Sequence, residues 1–363
     1  MSSTPLLLSR SRRQTVVQSD RLRRLTESAL SPSNPEPKRY VVYSGYTPPS
    51  IPRVYRVPEL LETILELSDW SSVMTISRTD RFGRRVAQFV IRNRIRDLVL
   101  PYVDHDQDKA RAFIEMMDRL GAGITGSLVR RLFALNSDWM DAAIGAGYYR
   151  FFTCHDINIL VPQGKFDLAL EWMGSIGYDT VKESIASDPY SAAVKRFVRL
   201  AKSPSPIGDS TFRLASISEC RAGIMHAVVA SPVTGQANLV TSSRVYSFYP
   251  NTLNTPYVLR TDWPRIRLPR RASPPYVAIP SNANWKRCGY ICPAAQRNTV
   301  GDKGVASFAY DPSRDVPTSR FEGTDYLLAE QVVIWRFSHN FRVRQNTRLA
   351  LVDTHLTHAA PRP

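Results

Sequence analysis

A chain of 363 residues with 43% hydrophobic and 22% charged side chains is long enough to bury the cores of two domains and has an ordinary globular composition. Lysine and arginine exceed aspartate and glutamate by 48 − 32 = 16, a balance that suits polyanions such as nucleic acid, or a solvated basic surface with basic tails. Four cysteines (Cys154, Cys220, Cys288, Cys292) exclude a disulfide scaffold at this length, no secretory signal is recognised, and no apolar run nears the roughly 20 residues that span a bilayer.

Residues 1–53 form a basic arm rich in Ser, Arg and Pro, without a sustained apolar face, and are expected to be disordered. Besides a plain solvated tail, two readings stay open. The Arg-rich, acid-poor start fits a mitochondrial transit peptide, and the same charge fits an arm touching phosphates. The expected compartment is the cytoplasm or nucleus, or the mitochondrion if the arm is a transit peptide.

Residues 54–103 carry the punctuation of three helices. Pro58 stands where a first helical turn tolerates proline, with Glu59 beside it. Leu60, Leu61, Ile64, Leu65 and Leu67 follow at helical spacing. Ser68 and Asp69 offer a stop and a new N-cap. The second helix is expected to bury Val73, Met74, Ile76 and Phe82. The third, from about Arg84 to Leu98, should turn Val86, Phe89, Val90 and Ile95 inward and its arginines outward.

The run Val57-Pro58-Glu59-Leu60-Leu61 with Ile64-Leu65, then Val73 to Arg78, then Arg81-Phe82, resembles an F-box. The resemblance implies that Val57, Pro58, Leu60, Leu61, Ile64 and Leu65 pack on the adaptor subunit of a cullin ubiquitin ligase. The bland alternative is a helical cap on the next domain.

Residues 104–250 read as an α/β domain. An amphipathic helix places Ala110, Phe113, Ile114, Met117 and Leu120 on one side, capped by Asp106 or Asp108. GAGIT is a short strand, and Gly126-Ser127 turns it into a helix whose exposed N–H groups suit an anion. The run ending in Asp156-Ile157-Asn158-Ile159-Leu160-Val161 alternates as a strand, so Asp156 and Asn158 share a face. A helix through Phe166, Leu168, Ala169, Trp172 and Met173 comes next. PYSAAVKRFVRLAK is expected as another helix, and the segments from TFRLASISE through GIMHAVVAS to SRVYSFYP as β or mixed. Helices with a few strands predict an α+β fold with a mixed sheet.

Gly126-Ser127 followed by Asp156-x-Asn158 resembles the nucleotidyltransferase superfamily, and the order of elements resembles a fungal protein family in which an F-box-like module precedes such a domain. The resemblance implies that Gly126 and Ser127 cradle a nucleotide. It also implies that Asp156 and Asn158 stand where two carboxylates hold Mg²⁺ for attack on a phosphate. Asn158 is a neutral amide. The third carboxylate belongs on a later strand, and the best positional match, Met225-His226-Ala227-Val228, contains none. Asp138 and Asp141 lie in a loop that could approach the site, and His226 is expected to pack at a strand edge.

Residues 251–363 form a basic, Pro-rich extension packing on the core and loose at its end. Arg260, Arg265, Arg267, Arg270 and Arg271 interleave with Tyr257, Trp263 and Tyr276, a mix that binds nucleic acid by charge and stacking or simply lies over the surface. Cys288 and Cys292 are half a zinc site with no matching second pair, so no metal is expected.

The leading expectation is a non-catalytic F-box-like protein, a recognition adaptor of a cullin ubiquitin ligase built on a degenerate nucleotidyltransferase-like domain. No cofactor is expected. The alternatives are a nucleotidyltransferase or nucleotide-binding protein using Gly126-Ser127, Asp156 and Mg²⁺, and a basic nucleic-acid-binding protein.

Overall fold

Proline and aspartate set the entry to the first three helices. Helix α1 (Pro58–Glu66) starts on Pro58 after an extended Val57. Helix α2 (Trp70–Ser77) is capped by Asp69, which accepts from the Ser72 N–H. Helix α3 (Arg81–Val99) is capped by Asp80, which accepts from the Gly83 N–H. A side chain at Gly83 would meet the Tyr55 hydroxyl and the Ile76 carbonyl, so the close approach of α2 to α3 needs glycine there.

This computed structural model describes residues 55–138, 140, 156–184, 192–203, 213–231, 233–253 and 304–314, and, for their backbone alone, short strands further along the chain. The basic arm (1–53), Asp141, Cys154, Cys288, Cys292 and the basic run 261–271 lie outside the described residues. The described residues all belong to one compact unit, Pro52–Pro363.

The chain is α+β. After α3 and a short 3₁₀ turn (Leu100–Val103), α4 (Gln107–Leu120) is capped by Asp106, which accepts from the N–H groups of Asp108 and Lys109. Strand β1 (Gly123–Thr125) then leads into α5 (Ser127–Ala134). Strand β2 (Asp156–Val161), helix α6 (Phe166–Ser175), and strands β3 (Asp179–Ser184), β4 (Val194–Lys202) and β5 (Arg213–Cys220) follow. Helix α7 (Ile224–Val229) precedes β6 (Asn238–Val240) and β7 (Arg244–Ser247). Strands β8 (Val258–Arg260) and β9 (Tyr276–Ala278) pair with each other. Beyond β10 (Arg297–Asn298) comes β11 (Ala306–Ala309), and then β12 (Ile334–Trp335), β13 (Arg342–Asn346) and β14 (Leu349–Asp353).

The main sheet has eight strands in the order β11-β7-β6-β1-β2-β5-β4-β3. It is mixed: β2 and β5 run parallel, and every other pairing is antiparallel. Alternation along β2 separates two cores. Ile157, Ile159 and Val161 join the larger one with Leu61, Leu65, Val73, Val90, Ile91, Leu128 and Leu132. Leu160 joins a smaller one on the other face with Cys220, Ile224, Met225, Tyr246 and Phe248.

The first three helices therefore share a core with the α/β part. Arg94 on α3 donates from Nη2 to the carbonyls of Leu65 (2.7 Å), Glu66 (3.1 Å) and Ser68 (2.6 Å), and Asn136 donates to Glu66 O at 2.7 Å. These bonds add donors to carbonyls at and just beyond the end of α1, where intrahelical partners run out. Trp70 meets Phe133 edge-on at 4.6 Å between ring centroids.

Several expectations are corrected. The segment expected as a helix around 189–202 holds β4, because Val198 and Leu200 alternate inward. An irregular register between Val194 and Arg196 hides that alternation in the sequence. Met225 to Val228, matched to a strand, lies on helix α7. On α3, Phe89 is exposed and Arg94 is buried, the reverse of the expected sides, because Arg94 caps α1.

Candidate functional site

The Asp-x-Asn strand and the Gly-Ser helix start do meet. In β1–β2 pairing Thr125 lies opposite Asn158, which brings Gly126 and Ser127 over the start of β2. Gly126 adopts φ 87°, a conformation that favours glycine, and a Cβ there would sit 3.0 Å from Asn158 Nδ2. Ser127 Oγ donates to Asp156 Oδ1 over a long 3.5 Å, and Asn158 Nδ2 donates to Asp156 Oδ2 at 3.1 Å.

The strand beside β2 on its other side is β5, in parallel register with Asn158 opposite Ser216. Ser216 Oγ donates to Asn158 Oδ1 at 2.6 Å. Ser216 is thus the neighbour that the β2–β5 pairing brings to Asn158, and it carries a hydroxyl rather than a carboxylate. The single acid of β5, Glu219, sits at an odd step from Ser216 and turns to the opposite face. There it accepts from the Gly164 N–H at 2.7 Å and approaches Lys195 at 3.6 Å. Sequence reading missed Ser216, because its place depends on which strands pair. The alternation in LASISEC was its only local trace.

The Mg²⁺ that a nucleotidyltransferase would use does not fit this set. Among the described residues one carboxylate is present, Asp156. The amide oxygen beside it already accepts a hydrogen bond, and the amide nitrogen offers a donor rather than a lone pair. Among the described residues no three of His, Cys, Asp and Glu converge on a point that could hold a metal. Asp138 is exposed, and no bond ties it to this site. His226 is fully buried on α7 with neither ring nitrogen hydrogen-bonded, and burial pushes its pKa down to about 4. It packs there as a neutral side chain.

The second candidate surface is helix α1. Of the six residues that the F-box resemblance implies, Leu61 (4% exposed) and Leu65 (1%) turn into the core. They build the helix packing and cannot be contact residues, which corrects the expectation for those two. Pro58 is exposed at the helix start. Val57 (37%), Leu60 (49%) and Ile64 (48%) are exposed, and Leu67 (76%) joins them. Positions 57, 60, 64 and 67 repeat at three and four residues and so form one stripe along the helix. On its far side run Glu59, Glu62 and Glu66. Desolvation first, and then repulsion from Glu66 and Glu59, holds the Glu62 carboxyl above its ordinary pKa. Four aliphatic side chains in a line are an unusual exposure for a helix whose other apolar residues are covered.

No protein-family model matches the chain, and no curated protein matches it. Among the described residues no helix is long and apolar enough to cross a membrane.

Proposed function

We propose that this chain is a non-catalytic F-box-like protein that docks through α1 on the adaptor subunit of a cullin ubiquitin ligase, with the nucleotidyltransferase-like α/β part as its recognition module. The observation that carries the reading is the exposed stripe Val57, Leu60, Ile64 and Leu67 beside the buried pair Leu61 and Leu65. A helix that splits its leucines this way is held firmly on one side while offering apolar area on another, as helix-in-groove recognition requires. The eroded acid set supports a non-catalytic role, since Asn158 and Ser216 satisfy each other where phosphoryl transfer would need carboxylates.

The test is binding of the full chain to purified adaptor, with Leu60→Arg and Ile64→Arg as probes. The intact chain should bind, and either variant should lose binding while keeping its melting temperature. An intact chain that fails to bind removes the ligase reading. Incorporation of labelled nucleotide from a nucleoside triphosphate with Mg²⁺ would instead establish the enzyme alternative.

A further inference from the structure

We propose that the free edge of the main sheet, strand β3 with Lys182 and Arg199 beside it, is a docking site for an extended acidic segment of a partner protein. The inference deepens the recognition half of the function proposed above, but binding at β3 does not require docking at α1.

Among the described residues strand β3 is the last strand of the eight and pairs on one side with β4 alone. Its side chains from Asp179 to Glu183 are all exposed, including Val181 at 60%. The outward backbone N–H and C=O groups of such a strand are a ready template for another strand. A register irregularity between Thr180 and Lys182 leaves Val181 out of the ladder, as a bulge does where a strand is re-aimed.

Charge identifies the occupant. The cations of β4 are nearly all partnered: Lys195 approaches Glu219, Arg196 pairs with Asp167 and Glu183, and Lys202 pairs with Asp104. Arg199 is the exception among the described residues. It is exposed, makes no ion pair with them, and stands directly opposite Lys182, a second exposed cation in the same condition. Like charges opposite each other across two strands are destabilising. An edge lysine alone reads as a guard against strand addition. That explanation covers neither Arg199, which is one strand in, nor the exposed Val181.

The geometry fits a strand carrying acidic side chains at alternate positions. A residue placed opposite Lys182 by pairing with β3 points to the same face as Arg199, about 5 Å from the Lys182 backbone and roughly 10 Å from that of Arg199. Both long side chains can converge on one carboxylate. A nucleic-acid strand would need stacking platforms as well as charge, and among the described residues Phe197, two positions before Arg199, packs against the smaller core. Main-chain bonding to β3 favours a peptide.

The probe is a fluorescein-labelled decapeptide alternating Glu with Val and Thr, titrated by the full chain and read by fluorescence anisotropy. It should bind saturably, and its lysine counterpart should not. Lys182→Glu with Arg199→Glu should weaken binding about tenfold or more. Methylating alternate peptide nitrogens should abolish binding without changing its charge, and Leu60→Arg should leave it unaltered. The proposal is overturned by any of four results: no saturable binding, binding indifferent to the double charge reversal, binding indifferent to N-methylation, or a requirement for phosphoserine in place of glutamate. Oligouridine that binds the same two residues more tightly than the peptide would assign the site to nucleic acid and overturn it too.

Discussion

The Ser216 hydroxyl donates to the Asn158 amide oxygen at 2.6 Å, and the same amide donates to Asp156 at 3.1 Å. The three side chains form one polar chain from β5 across β2. Asn158→Asp breaks it in two ways. It removes the donor that Asp156 accepts, and it puts a second carboxylate beside the first. The expected cost is about 1–3 kcal/mol at neutral pH. Acid, or millimolar Mg²⁺, should return part of it. Thermal melting with and without Mg²⁺ is the measurement; in the parent chain Mg²⁺ should leave the melting temperature where it is.

Adjacent leucines on α1 should separate stability from docking. Leu61→Ala opens a cavity in the shared core and should cost about 2–5 kcal/mol. Leu60→Ala removes side chain from an exposed position and should change stability by no more than about 0.5 kcal/mol. Denaturant titration of the two variants gives the comparison. Equal losses would mean that Leu60 is covered in solution and that the stripe is not open.

Gly126→Ala should be costly although the added group is one methyl. The backbone there has φ 87°, and the methyl would press on Asn158 Nδ2, itself locked between Asp156 and Ser216. The expected loss is about 1–3 kcal/mol. Asn158→Ala in the same chain should recover part of it by opening the space, so the double variant should lose less than the sum of the singles.

Much of this architecture was legible in the sequence. Caps at Asp69 and Asp106, proline at the start of α1 and the glycine-serine turn are local signals, and each marks its element within a residue or two. What was not legible depends on partners distant in the chain. Arg94 points inward because carbonyls 26 to 29 residues earlier need a donor, and no periodicity encodes that. Ser216 joins the site because β5 pairs parallel to β2, a choice of neighbour rather than of local conformation. Strand β4 was misread because Val194 and Val198 are spaced as on a helix face, and an irregular register accounts for the spacing. The spacing of leucines after Pro58 marked α1, but spacing alone does not say which of them face the core, and packing divides them between core and surface.

The buried imidazole of His226 should give stability a dependence on pH that begins above the carboxylate range. Both its nitrogens lie without hydrogen-bond partners, and burial pushes its pKa from 6.5 down to about 4 in the folded chain. Between those values the unfolded chain holds a proton that the folded chain does not, so stability must rise with pH across that window. Read in the other direction, it is fully present above about pH 6.5 and is lost progressively as the pH falls toward 4, by about 3 kcal/mol in all. His226→Leu removes the titrating group and keeps an apolar side chain among Ile224, Met225 and Phe248. Denaturant titrations of parent and variant at pH 7.0, 6.0, 5.0 and 4.5 should converge on similar values at the top of the range and diverge below about pH 6. Parallel curves would mean that the imidazole finds a partner or solvent in the folded state, contrary to the packing of α7 against the sheet.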